Sequence, residues 1–427
     1  MNRLLRNINR LTIRWAILAA LILLSVAWPA TAADTLVAGK GTRWNTAQKA
    51  IDHADSGDVV LLKDGVYNEH NVTIKKPLTL GALNAHQAVI DGQKEGFVLK
   101  VLADSVTVRD LKVQAAAVSF IEDYAAILLE NVSGAKIINN VLRDNFFGIY
   151  LAKTKNSLVR KNDISTVAES ESSSGNAIHL WYCKNITVED NHIDGHRDGI
   201  YFEFVEESVI RGNLSENCLR YGLHFMYSDN CTYTNNTFQN NSAGVAVMYT
   251  ENVEMAYNLF KHNWGAASYG LLLKEIYDSS VHHNTFVKNT TGIYTEASNR
   301  VDTYSNRFLS NGWGIKLMAN SMDNTYRKNN FIGNTFDVST NSRKNFNEFN
   351  NNYWSHYEGY DLDRDGTGDV PYRPVRLFSV LVEKQSTALM LLHSPFIDLL
   401  DTAERIMPVL TPETLVDENP QMQRFDL

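Results

Sequence analysis

An all-oxygen set of closely spaced carboxylates suits a hard cation. Asp361, Asp363, Asp365 and Asp369 stand at positions 1, 3, 5 and 9 of a loop with Gly366 at position 6, the order in which a calcium loop presents its ligands. The twelfth position is Tyr372 rather than a bidentate glutamate, so a Ca2+ loop and a solvated acidic turn both stay open. A softer set is formed by His224, Met226 and Met248. Imidazole and thioether together suit Cu(I), which the oxygen set would not. Acid–base catalysis needs clustered carboxylates or a His–Asp constellation. His196-Arg197-Asp198-Gly199 supplies only a lone acid, and Asp198, just ahead of a repeat glycine, reads as a turn residue. No catalytic residue is nominated. Cys183, Cys218 and Cys231 lack the close spacing of a thiolate metal site and read as buried, inert thiols.

These residues are positioned by a repeat. A glycine followed by an alternating apolar run recurs at Gly199, Gly222, Gly244, Gly270, Gly292 and Gly314, with steps of 23, 22, 26, 22 and 22 residues. Upstream of each run lies a second marker, an asparagine and then, one residue on, usually an apolar side chain: Asn236-Thr-Phe238, Asn258-Leu-Phe260, Asn284-Thr-Phe286, Asn306-Arg-Phe308. Two independent markers sharing one period define a solenoid. A coil of about 22 residues holds three short strands of period 2, so the reading is all-β, a right-handed parallel β-helix with a C-terminal helical tail. Stacked asparagines would hydrogen-bond one another and satisfy buried turn backbone.

Alternation sorts the faces. Positions one and three after the glycine point inward, and positions two and four outward. The outward row includes His179, Trp181, Tyr201, Glu203, His224, Met226 and Met248. Read as exposed, it needs a partner. The readings are a protein-docking surface, for which His179, Trp181, Tyr201 and Glu203 are the partner-binding candidates, transient Cu(I) handling by His224, Met226 and Met248, which could equally belong to the docking surface, or neither role.

The flanks divide the chain into 1–32, 33–125, 126–350, 351–375 and 376–427. Residues 1–32 read as an export signal: Arg3, Arg6, Arg10 and Arg14, an apolar centre from Trp15 to Ala27, and the small-residue site Ala30-Thr31-Ala32. The opening coils at 33–125 carry helical character near Trp44–Ala54, with Asn45 or Thr46 as N-cap, a cap for the first coil. Residues 126–350 are the regular coils and 351–375 the acidic segment. The tail at 376–427 reads as amphipathic helices that either cap the last coil or rest on a membrane protein, through Leu377, Phe378, Leu389, Met390, Phe396, Leu399 and Leu400. With 40 basic against 48 acidic residues, nothing favours nucleic acid.

The stretch Asn352-Tyr353-Trp354 through Tyr357, Gly359, Asp361, Asp363, Asp365, Gly366, Gly368, Asp369, Pro371 and Tyr372 resembles the hallmark segment of the NosD family, and Ser394-Pro395-Phe396-Ile397 resembles its tail. His356 and Thr367 depart mildly from the pattern. The resemblance covers essentially the whole mature chain. It implies a periplasmic accessory protein for assembling the copper centres of nitrous oxide reductase in denitrification. Its implied partners are an ABC transporter (membrane permease and cytoplasmic ATPase), a lipoprotein copper chaperone and the reductase. The rival class is a carbohydrate-active β-helix, a polysaccharide lyase or epimerase, for which fold alone is only analogy.

Overall fold

Each glycine-led apolar run becomes a strand whose neighbours lie one coil away. The computed structural model describes residues 33–119, 121–342, 344–392, 394–406 and 415–427; the export-signal reading of 1–32 lies outside the described residues. The strands from Thr35 onward sort into three parallel sheets of 14, 12 and 13 strands. The all-β solenoid expected from the repeat is thus the observed fold. Glycine at the coil marker is required by close approach. A Cβ on Gly244 would lie 2.3 Å from the carbonyl oxygen of Gly270 on the next coil.

The interior is built from columns. Ile178, Ile200, Leu223, Val245, Leu271, Ile293 and Ile315 are fully buried in line, as the period-2 pattern requires. The apolar residue of the second marker forms an aromatic stack. Phe260, Phe286, Phe308, Phe331 and Trp354 follow one another at centroid distances of 4.6, 4.9, 4.7 and 4.2 Å, with planes within 9° of parallel. Beside it runs the asparagine column. Asn306 donates from its backbone N and from Nδ2 to Oδ1 of Asn329, at 2.9 and 3.0 Å, and its Nδ2 also reaches the Val281 carbonyl at 2.8 Å. The same pattern runs from Asn140 to Asn352. Each buried amide therefore satisfies turn backbone that would otherwise be orphaned.

Both ends are closed. Helix α1 (Ala47–His53) begins at Thr46, whose hydroxyl accepts from the Lys49 N–H at 3.3 Å. Glu69 accepts from the backbone N–H groups of Ala47 and Gln48 at 2.7 and 3.0 Å. The Gln48 side-chain amide then accepts from the Thr73 N–H at 2.7 Å and donates to the Thr73 carbonyl at 3.2 Å. Thr73 sits in Val72–Ile74, the outermost strand of the 12-stranded sheet.

At the other end the expected helical tail is observed over part of its length. Helix α2 (Leu377–Lys384), a 3-10 turn (Ser386–Leu391) and helix α3 (Pro395–Ile406) pack on the outside of the last strand of the 12-stranded sheet, Phe336–Thr340. The chain then returns as a non-helical segment, 415–427, against the final coil. There the Asp417 carboxylate accepts from the backbone N–H groups of Asn351 and Asn352, from Asn352 Nδ2 and from Trp354 Nε1, at 2.9, 2.9, 3.1 and 2.9 Å. Asp417 thereby occupies the place of the next asparagine.

Candidate functional site

On the outer face of the 12-stranded sheet, register places Tyr150, His179, Tyr201 and His224 in one row. Trp181, Glu203, Met226 and Met248 form the adjacent row. The two methionines are direct cross-strand partners, so their backbones lie about 4.8 Å apart. The Tyr201 hydroxyl donates to the Met226 sulfur at 3.3 Å.

The sequence took both rows as exposed. That is corrected for the histidines: His179 and His224 retain only 8% and 5% of their accessible surface. Their neighbours' rings cover them. Tyr150 stacks on His179 at 4.3 Å, and Tyr201 and Tyr221 flank His224 at 5.0 and 4.8 Å. His179 is thus removed from the partner-binding candidates, while Trp181, Tyr201 and Glu203 stay half-buried at the surface.

Asp198 also differs from expectation. It opens the strand Asp198–Glu203 on the outward side and is fully buried, bound through both carboxylate oxygens to the Arg220 guanidinium, with Nε to Oδ1 at 2.9 Å. An arginine one coil away makes a strand position habitable for a buried carboxylate.

His224 is the unusual member of this face. Both its ring nitrogens are buried without a hydrogen-bond partner among the described residues, the nearest carboxylate oxygen of Asp198 lying 4.0 Å from Nδ1. Burial drives its pKa down to about 4, Asp198 opposing and Arg220 and Arg197 assisting. His179, similarly lowered by burial and then by Arg197, falls to about 3. Both are neutral imidazoles near pH 7.

This makes stability pH-dependent with a definite sign. The folded pKa values lie below the ordinary value of 6.5, so the unfolded chain binds more protons in that window. Stability is complete above about pH 6.5 and is lost as pH falls toward 4, by about 1 kcal/mol per pH unit per histidine. We expect His224→Phe to flatten the dependence of the unfolding midpoint between pH 6.5 and 4. Equal slopes in variant and parent would contradict it.

Beyond Met248 a cavity of about 640 Å³ opens between the sheet face and the tail. Met248, Tyr269, Lys274, Tyr294 and Glu296 line it, and α2 closes it with Glu383. Lys316 lies over the Trp313 ring at 4.0 Å and pairs with Glu383 at 3.3 Å.

The tail candidates divide. Phe378 is buried with Phe336, Val382 and Ile397, and Leu389 and Leu400 pack against that cluster, because α2 and α3 need an apolar seat on the sheet. Phe378 is therefore unavailable to a partner. Leu377 is half-buried at the start of α2. Met390, Phe396 and Leu399 are 90%, 53% and 66% exposed.

In the acidic segment, ligand oxygens of Asp361, Asp363 and Asp365 converge within 4.8 Å of one another. Asp361 accepts from the N–H groups of Arg364 and Gly366 at 2.6 and 2.9 Å, and Asp369 from Leu362 at 2.7 Å. Tyr372 turns inward, its hydroxyl 3.4 Å from Asp337.

A family model described as "Periplasmic copper-binding protein (NosD)" matches residues 165–359. A protein of Pseudomonas aeruginosa named "Probable ABC transporter binding protein NosD" is 31% identical over 380 residues, covering 83% of this chain and 86% of that protein. The chain belongs to the NosD family. Among solved structures, the Dettilon tailspike protein superposes with a TM-score of 0.58 at 16% identity, over 72% of this chain and 69% of that one. A family 28 exopolygalacturonase of Yersinia enterocolitica gives 0.57 at 12% identity, over 75% and 78%. At such identities the likeness shows the fold alone.

The NosD description names copper, and the donor types on the outer face fit it. A buried neutral imidazole, whose unprotonated nitrogen offers one free lone pair, stands one side chain from two thioethers in register. The cysteines do not compete, since burial raises Cys183, Cys218 and Cys231 to about 11, 12 and 12.

Sequence reasoning missed a feature of this face. Tyr182, Phe204, Tyr227 and Tyr249 stack at 4.6, 5.1 and 5.0 Å along the strand ends, all at positive φ, and the first three are exposed. Holding bulky rings in the left-handed region costs conformational energy. The signal was present: each lies five residues after the coil marker. Among the described residues no helix is long and apolar enough to cross a membrane.

Proposed function

We propose that this chain is a periplasmic accessory protein in the assembly of the copper centres of nitrous oxide reductase. In this reading residues 1–32 export it, and the exposed side chains Met390, Phe396 and Leu399 seat it on the permease of an ABC transporter whose ATPase is cytoplasmic. The outer face, with Trp181, Tyr201, Glu203 and the stacked rings beside them, meets a copper chaperone and the reductase. His224, Met226 and Met248 hold Cu(I) in passage.

The observation that carries the reading is the His224 imidazole, buried with both nitrogens unpartnered beside Met226 and Met248. An orphaned buried polar group is costly unless something binds it. Soft donors on a face already rich in aromatic rings combine metal handling with protein docking.

The test is the double variant Met226→Leu and Met248→Leu, which keeps side-chain volume. Cu(I) affinity, measured anaerobically against a chromogenic chelator, should fall on the order of tenfold or more once two of three donors are gone. Copper content of reductase from cells carrying the variant should fall with it. Unchanged affinity and unchanged loading would refute the site.

The carbohydrate-enzyme reading draws on the shared fold and on Asp198. That carboxylate is committed to Arg220, so Asp198 is not available as the acid of such a pair.

A further inference from the structure

A second metal-binding arrangement lies on a different sheet, the one of 14 strands. His282 ends the strand Ser280–His282, and His283 follows in the turn with φ of 53°. Their Nδ1 atoms are 3.0 Å apart, and the rings are nearly perpendicular at 88°. On the far side of His282, Nε2 meets a Glu254 carboxylate oxygen at 3.2 Å. Glu254 stands on the neighbouring strand one coil earlier. Tyr304 stacks on His282 at 4.8 Å and Tyr257 on His283 at 4.9 Å, fixing both rings.

We propose that His282 and His283 form a two-imidazole site for a divalent transition ion, Cu(II) foremost. The carboxylate decides the tautomer. A neutral imidazole that donates its Nε2 proton to Glu254 carries its lone pair on Nδ1, the carboxylate–histidine–metal arrangement that orients a ligand and raises its basicity. That lone pair faces His283 Nδ1. Without metal, His283 donates its Nδ1 proton into it. With metal, that proton moves to His283 Nε2, and the two nitrogens face one ion.

The 3.0 Å span is that of the metal-free hydrogen bond, and it leaves both nitrogens within reach of one ion at bonds of about 2.0 Å. Cu(II) stands highest in the affinity order for nitrogen ligands. Two protein ligands leave positions for water or for a donor from another molecule, so the ion is exchangeable. The site is separate from the Cu(I) reading, which rests on thioethers of the 12-stranded sheet, and it stands or falls independently.

The probe is cupric chloride alone, added at one equivalent to the purified protein in air. Electron paramagnetic resonance should show an axial Cu(II) signal with superhyperfine splitting from two nitrogens, and competition with glycine should give the affinity. His282→Gln with His283→Gln should abolish the two-nitrogen signal. Glu254→Gln, which keeps the ligands and loses only the orienting charge, should weaken affinity by about 10-fold to 100-fold. If the double variant folds poorly, His283→Gln alone suffices, since that residue sits in a turn and its loss should leave a one-nitrogen signal. Met226→Leu with Met248→Leu should leave the signal unchanged, which separates this site from the other. A two-nitrogen spectrum that survives the histidine substitutions, or a parent protein that gives only an oxygen-coordinated signal, would overturn the proposal.

Discussion

Replacing Asp417 by alanine is expected to destabilise the last coil by about 3–5 kcal/mol, because it strands several buried donors at once. The carboxylate receives four hydrogen bonds from Asn351, Asn352 and Trp354, and Asn352 and Trp354 are themselves essentially inaccessible. In a stack where each coil touches only its neighbours, damage at one end appears first as local opening. Amide exchange in residues 346–356 should therefore accelerate before the global midpoint moves. Asp417→Asn should fall between, since one of two acceptor oxygens is lost. Parent-like exchange and midpoint in the alanine variant would show that the returning segment does not hold the coil.

The second large effect concerns the tail, and here the structure dictates the variant. Deleting everything from Arg376 onward would also delete Asp417, so loss of a partner could reflect a frayed solenoid. Point changes avoid this. Met390→Ser, Phe396→Ser and Leu399→Ser together alter only side chains that are 90%, 53% and 66% exposed. The folded state should barely register them, at up to about 0.5 kcal/mol each. Co-purification with the transporter permease should nevertheless be lost, because apolar anchors dominate such contacts. A complex that survives the triple change would exclude this surface as the foot.

The fold was legible because two markers of different chemistry kept one period. Glycine at close approach and asparagine in the turn leave separate traces in the sequence, and period-2 alternation then assigned inward and outward residues correctly along the regular coils. Burial of the outward row was not legible. Whether His179 or His224 is covered depends largely on rings one coil away, Tyr150 over His179 and Tyr201 beside His224, with Tyr221 of its own strand completing the cover of His224. Asp198 was misread for the same reason, since its partner Arg220 lies one coil on. The returning segment was hidden by distance: Asp417 completes a column whose previous member is 65 residues upstream, and a single aspartate in a polar stretch carries no periodic trace. The tail's apolar residues were found, but which of them faced inward depended on the seat offered by Phe336 and Trp313.

The contact between Gln48 and Thr73 has a consequence for the molecule among its own copies. A stack of parallel rungs ends in a row of open peptide groups, which is a template for adding another chain and, repeated, for a fibre. A glutamine side chain carries the same carbonyl and N–H pair as a peptide unit, and here it takes the place of the next rung opposite Thr73 in the outermost strand of the 12-stranded sheet. Gln48→Ala would reopen the place, and its mark would be slow, concentration-dependent growth of end-to-end particles rather than a loss of folding.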